Sequence, residues 1–138
     1  MTSEAGRGYV LRTGEGIGGD TALKASAAST DGSLTFIDSL TDGGAPPHVH
    51  AREDEAMFVI EGAIVAHIGD EEFHAGAGDF VFMPRGVQHD WDVEGSSARV
   101  LIIATPGGLE RFLDEFHAAA NWEARDTVAE RYGLVFPR

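Results

Sequence analysis

The chain of 138 residues contains no cysteine. That absence excludes disulfides, zinc ribbons, iron–sulfur clusters and cysteine nucleophiles, so any metal must be held by His, Asp or Glu. Basic residues are scarce as well: 10 Lys and Arg stand against 23 Asp and Glu, a formal charge of −13. A surface of that sign repels phosphate backbones and anionic lipid heads, which argues against nucleic acid and membrane as partners. No apolar run approaches the roughly 20 residues needed to span a bilayer. The opening MTSEAGRGYV lacks the apolar stretch of a signal peptide. A cytoplasmic protein is the expectation.

Glycine, by contrast, is plentiful: 18 residues, falling as punctuation between short Val-, Ile- and Phe-rich runs. Such runs read as strands: Tyr9–Arg12, Ala22–Ala28, Leu34–Leu40, Ala56–Ile60, Ile64–Ile68, Phe80–Met83, His89–Val93 and Val100–Ala104. Turn signals separate them, among them Asp31-Gly32, Glu61-Gly62, Gly69-Asp70 and Arg85-Gly86. Many short strands at regular spacing indicate an antiparallel barrel or sandwich rather than a βαβ fold.

The pattern changes after Pro106. Leu109, Phe112, Leu113 and Phe116 fall on one face of an amphipathic helix, a face expected to pack on the barrel. A second short helix is expected to begin near Asp126 or Thr127, where Thr127 and Glu130 have capping-box spacing, and to stop at Gly133. Without linker, repeat or low-complexity segment, residues 1–138 read as one domain, with a barrel from about residue 8 to 105 and a helical tail from about 106.

Three of the six histidines sit in two glycine-bounded segments. The first runs from Gly43 to Gly62. Side chains alternate along an extended segment, so His48 and His50 point the same way and can grip a metal from adjacent corners. Pro46 and Pro47 hold the approach extended, Ala51–Asp54 supply a polar turn, and Glu55 opens the next strand where it can fold back beside the pair. Glu53 and Asp54 read as solvated charges in that turn. In the second segment a strand from Gly78 ends at Pro84, turns at Gly86 and re-enters with His89.

These two segments resemble the paired motifs of the cupin superfamily. His48, His50, Glu55 and Gly62 match the H-x-H, four residues, Glu, six residues, Gly arrangement. Gly78, Pro84, Gly86 and His89 match the Gly, five residues, P-x-G, two residues, His arrangement. Two departures occur at structural positions: Asp42 stands where a glycine is usual, and Val93 where an asparagine often closes the second motif. The resemblance implies an all-β, double-stranded β-helix (jelly-roll) barrel. It also implies that His48, His50, Glu55 and His89 ligate one divalent transition metal, with one or two positions open for water or substrate. Three imidazoles and a carboxylate serve Fe, Mn, Ni, Cu or Zn alike.

Residues in phase with the ligands should line the cavity: Met57 and Val59 with Glu55, Trp91 with His89, and Met83 beside the turn. Apolar walls of this kind suit an organic, partly aromatic ligand. His67, His74 and His117 read as structural or solvent-exposed, and Asp90 as a surface residue pointing away from His89.

Among small single-domain members the chain looks most like the quercetin-dioxygenase-like group, on the P-P-H-V-H opening, the G-D-F-V-F-M-P-R-G-V-Q-H segment and the helical tail. That resemblance implies a metal-dependent dioxygenase acting on an aromatic enol or flavonol-like compound, with Glu55 as general base. Two rivals keep the same ligands: a non-redox cyclase or isomerase, and a small-molecule-binding or sensory module without turnover. A homodimer is expected, because the extra apolar strand at Tyr9–Arg12 would offer an edge to a second copy.

Overall fold

The computed structural model describes residues 7–138. In chain order its elements are β1 (Leu23–Ala25), β2 (Thr35–Thr41), β3 (Ala45–His50), β4 (Asp54–Ile68), β5 (Glu71–Gly76), β6 (Phe80–Met83), β7 (His89–Thr105), α1 (Leu109–Ala118), α2 (Trp122–Tyr132) and β8 (Leu134–Val135). The expectation that residues 1–6 belong to the same domain, and that they carry no leader, lies outside the described residues. All the strand pairings are antiparallel. The fold is the all-β barrel with a helical tail that the sequence implied.

Two strands are much longer than glycine punctuation suggested. Ala56–Ile60 and Ile64–Ile68 are halves of one fifteen-residue strand, β4, and His89–Val93 and Val100–Ala104 are ends of the seventeen-residue β7. Glu61-Gly62 is therefore a register shift inside a ladder rather than a turn. The pairing of β4 with β7 slips between Val59, Glu61 and Ala63 while continuing on both sides. A bulge and a tight turn both select glycine, which is why the sequence reads alike for either. At Gly62 the need is concrete. Its φ is +80°, and a Cβ there would sit 2.6 Å from the carbonyl oxygen of Ser97.

The two long strands organise everything else. β7 lies between β2 and β4 at its C-terminal end and between β3 and β4 at its N-terminal end. β4 carries β6 on its first half and β5 on its second. Strand β5 escaped the sequence reading because Glu71, Glu72 and His74 give it a mostly exposed, charged surface.

Alternation sets the core. Glu55, Met57 and Val59 on β4, Val81 and Met83 on β6 and Trp91 and Val100 on β7 all turn inward, and all are buried. The three largest apolar contributors that are fully enclosed are Met57, Ile64 and Met83. At about 1.5–3 kcal/mol per fully buried large apolar side chain, this layer is what fixes the strand register.

A second, smaller cluster joins the barrel to the tail: Ala104, Leu109, Phe112, Val128, Ala129 and Leu134, with Phe116, Tyr132 and Phe136 packed around it. Helix α1 begins where expected. Glu110 in its first turn bonds the Thr35 hydroxyl (2.5 Å) and the Ala27 amide (3.1 Å), tying the helix to the β1–β2 connection.

Helix α2 begins earlier than the capping-box spacing suggested. Asn121 caps it, its side chain accepting from the Ala124 amide at 2.9 Å, and the Thr127 hydroxyl donates to the Glu123 carbonyl one turn back inside the helix. Both are local side-chain–backbone options open to a Thr or Asn, and the Asn121 site captures the helix start because it comes first. Gly133 stops α2 in the left-handed conformation, as expected.

Tyr9–Arg12 forms no strand. The Tyr9 hydroxyl instead donates to the Lys24 carbonyl at 2.8 Å, which ties the segment to β1.

Candidate metal centre

Strand β3 carries two of the four expected ligands. His48 and His50 lie two residues apart on one face, 5% and 2% exposed. Strand β7 opens with His89, which stands directly opposite His48 in the β3–β7 register and is 2% exposed. Glu55, 6% exposed, is the second residue of β4, reached from β3 through the short turn at Ala51–Glu53. Register thus does for the site what covalent linkage cannot, bringing residues 34 and 41 positions apart onto one point. One ligating atom from each of the four residues lies within 4.8 Å of the others, and all four residues are buried.

The hydrogen bonds of the rings decide which nitrogen faces that point. Nδ1 of His48 donates to the Pro46 carbonyl at 2.7 Å, Nδ1 of His50 to Glu53 Oε1 at 2.5 Å, and Nδ1 of His89 to the Val87 carbonyl at 3.3 Å. With every Nδ1 so occupied, Nε2 is the ring nitrogen left for a cation to meet. Nε2 of His50 lies 3.2 Å and Nε2 of His89 3.3 Å from Glu55 Oε1. An ion bonded at about 2.0–2.2 Å separates neighbouring donors by roughly 3 Å, so the set fits a first-row divalent cation.

Electrostatics point the same way. Burial pushes the Glu55 carboxyl up, but hydrogen bonds from His50 and His89 outweigh it and bring it down to about 2. His50 is the mirror case: burial lowers it, and the two carboxylates of Glu53 and Glu55 raise it to about 9. His48 has no carboxylate bonded to it, and burial takes it down to about 4 despite the Pro46 carbonyl. Glu55 is thus a buried carboxylate facing three buried imidazoles, a donor set that a bound cation would satisfy.

A cavity of about 330 Å³ opens over the cluster. Its barrel wall is formed by inward residues of β2 and β7, including Ile37, Ser39, Trp91 and Ile102. The opposite wall comes from the tail: Leu109, Phe112, Leu113, Phe116 and Phe136. The Phe136 ring stacks on His48, centroids 5.4 Å apart at 29°. Of the four residues expected to line the cavity, Trp91 borders it. Met57, Val59 and Met83 sit wholly buried in the barrel core instead. Inward phase puts a side chain inside the barrel, but only those near its open end reach the cavity.

Sequence reading passed over Phe136 and Glu53. Phe136 lies beyond both helices, in a segment with no periodicity. Glu53, expected among the solvated charges of the turn, has a side chain only 11% exposed. Its neighbour Asp54 does face outward, paired with Arg85 at 3.2 Å. Asp90 points away from the cluster and bonds His67 at 2.7 Å, while His74 bonds Glu94 and Glu72 at the surface. His117 stands at the C-terminal end of α1, on the cavity rim.

Residues 39–104 match the family model described as the Cupin domain. Over 111 residues the chain is 27% identical to quercetin 2,3-dioxygenase of Bacillus subtilis (strain 168), covering 75% of this chain and 33% of that protein, so it spans about a third of the relative's length. Among solved structures it is similar to KdgF from Halomonas sp. (TM-score 0.57, 21% identity, 64% of this chain and 79% of that one). It is also similar to the nucleoside dehydratase Pac13 (TM-score 0.51, 20% identity, 59% and 67%), from Streptomyces. At those identities the two structures speak to the fold. All four residues of the cluster lie within the matched span, and the chain resembles a small cupin: a β-barrel with a helical tail.

Proposed function

We propose that the chain is a metal-dependent dioxygenase acting on an aromatic enol or flavonol-like small molecule. The observation that carries this reading is the convergence of His48, His50, Glu55 and His89, the first three lining an apolar, aromatic-walled cavity. The likeness to quercetin 2,3-dioxygenase supports the reaction class. No Lys or Arg lines the cavity among the described residues, which favours a ligand without phosphate.

His48, His50, Glu55 and His89 would hold one divalent ion. When bound, it would supply Lewis acidity for an enolate and access to oxygen chemistry. The chain's own residues do the positioning. Glu55, held ionised by His50 and His89, accepts the enol proton on its carboxylate. Trp91 on one wall and Phe112 and Phe116 on the other present flat apolar faces that orient a ring and keep water away from it. Ser39 lies on the β2 side of the same wall, where its hydroxyl can meet a polar substituent.

The test is oxygen uptake by metal-loaded protein against a panel of flavonols and smaller aromatic enols. Oxygen consumed in step with substrate loss, and turnover that stops under nitrogen, is the expected result. Turnover that continues without oxygen would overturn the redox step in favour of a cyclase or isomerase using the same ligands. Tight binding with no turnover in either gas would favour a sensory role.

A further inference from the structure

The three ligand histidines are not held alike. His48 and His89 give their Nδ1 protons to backbone carbonyls, those of Pro46 and Val87. His50 gives its own to a carboxylate, Glu53, at 2.5 Å, the shortest of the three contacts. A charged acceptor forms the stronger bond and leaves the opposite nitrogen of the ring more electron-rich than a neutral acceptor does.

Glu53 is also held in place by something other than His50. It lies in the turn from β3 to β4, and that turn is clasped by the end of α2. The Ala51 amide donates to the Gly133 carbonyl at 2.8 Å, and the Arg52 guanidinium donates to the Arg131 carbonyl at 2.9 Å. From the other side, the Gly86 amide donates to the His50 carbonyl at 2.7 Å. The loop therefore presents Glu53 to His50 at a fixed angle while turning Asp54 outward to Arg85.

We propose that Glu53 is a positioning residue of the metal centre: it fixes the tautomer and orientation of His50 and strengthens Nε2 as a ligand, without touching the ion itself. The inference rests on reading the four-residue cluster as a metal site. It makes the centre asymmetric, with His50 the strongest imidazole donor, and links its strength to the docking of α2 through Arg52 and Gly133.

The experiment uses the full chain and Co(II), whose visible absorption reports its ligand field, titrated against a competing chelator. The Glu53→Ala variant is expected to bind Co(II) about 10–100-fold more weakly, the usual effect of removing such a partner, and to shift the absorption bands. The Glu53→Gln variant keeps an oxygen acceptor without the charge and should fall between wild type and Glu53→Ala. Glu53→Asp should recover part of the affinity. Glu72→Gln, a surface carboxylate substitution on β5, should change nothing.

Unchanged Co(II) affinity and spectrum in Glu53→Ala would overturn the proposal, and so would a loss of thermal stability in the metal-free variant with no change in affinity. A separate result would overturn the reading beneath it: wild-type protein that takes up no Co(II), or takes it up equally well once His48, His50 and His89 are all alanine.

Discussion

The barrel and the tail contribute to one site by different physical means. Every residue of the candidate metal cluster comes from β3, β4 or β7, strands whose register is fixed by a ladder and by a core of fully buried side chains. Most of the aromatic surface over those ligands comes from α1 and the segment after α2, held by the smaller second cluster and by a two-residue strand, β8, against β3. The lesson is a division of labour. Positions that must be set to a fraction of an ångström are placed on the ladder, and positions that choose a ligand by shape are placed on an appendage that can vary.

The largest expected effect separates the chemistry of the ladder from the shape of the appendage. Replacing Glu55 with Gln keeps a coordinating oxygen but removes the base. The three imidazoles should retain much of the metal while turnover of an enol substrate falls about 10²–10⁴-fold. Metal content and rate measured on the same sample decide it. Undiminished turnover with intact metal would remove Glu55 from the role of base.

Two glycines sharpen the comparison on stability. Gly62 in the barrel and Gly133 in the tail have nearly the same φ, +80° and +77°. A Cβ at Gly62 runs into backbone, whereas one at Gly133 meets the flexible side chain of Arg52 at 2.9 Å. Gly62→Ala should therefore cost about 3 kcal/mol or more, from strain and clash together. Gly133→Ala should cost about 1–2 kcal/mol, from strain with a side chain that can move. Denaturant midpoints of the two variants check the order, and equal losses would show that the tail is held as rigidly as the barrel.

A smaller effect belongs to the tail alone. Phe136→Ala removes the ring stacked on His48 and opens the cavity wall. Substrate binding should weaken about 2–10-fold, in line with the ~0.5–1.5 kcal/mol of a ring–ring contact. Metal content should stay unchanged. An effect on the metal and none on substrate affinity would reverse the assignment of labour.

How much of this could be read from the sequence follows the same line. The buried cluster of His48, His50, Glu55 and His89 was legible because motif spacing and strand alternation are both local, and a ladder turns local order into position. The first turns of α1 were legible from their apolar face. The continuity of β4 and β7 was not, because the Gly62 bulge carries the same signal as a hairpin turn. Glu53 was not, because the turn that carries it is bonded to Gly133 and Arg131, about 80 residues later in the chain. Phe136 was not, because it takes its place through packing with Phe116 and His48 and not through any repeat. Apart from the Gly62 bulge, what the sequence hides here is contact between tail and barrel, residues far apart along the chain.

The central claim is that the ladder builds one cation site. Elemental analysis of untagged protein, after dialysis against metal-free buffer, tests it most directly when run beside a variant with His48, His50 and His89 all changed to Ala. One equivalent of a first-row divalent metal per wild-type chain, lost in a variant that still shows the β-rich circular dichroism of the parent, is the predicted result. Equal metal in the two proteins, or a wild-type chain that retains none and takes up none on incubation with Fe, Mn, Ni, Cu or Zn, would contradict it.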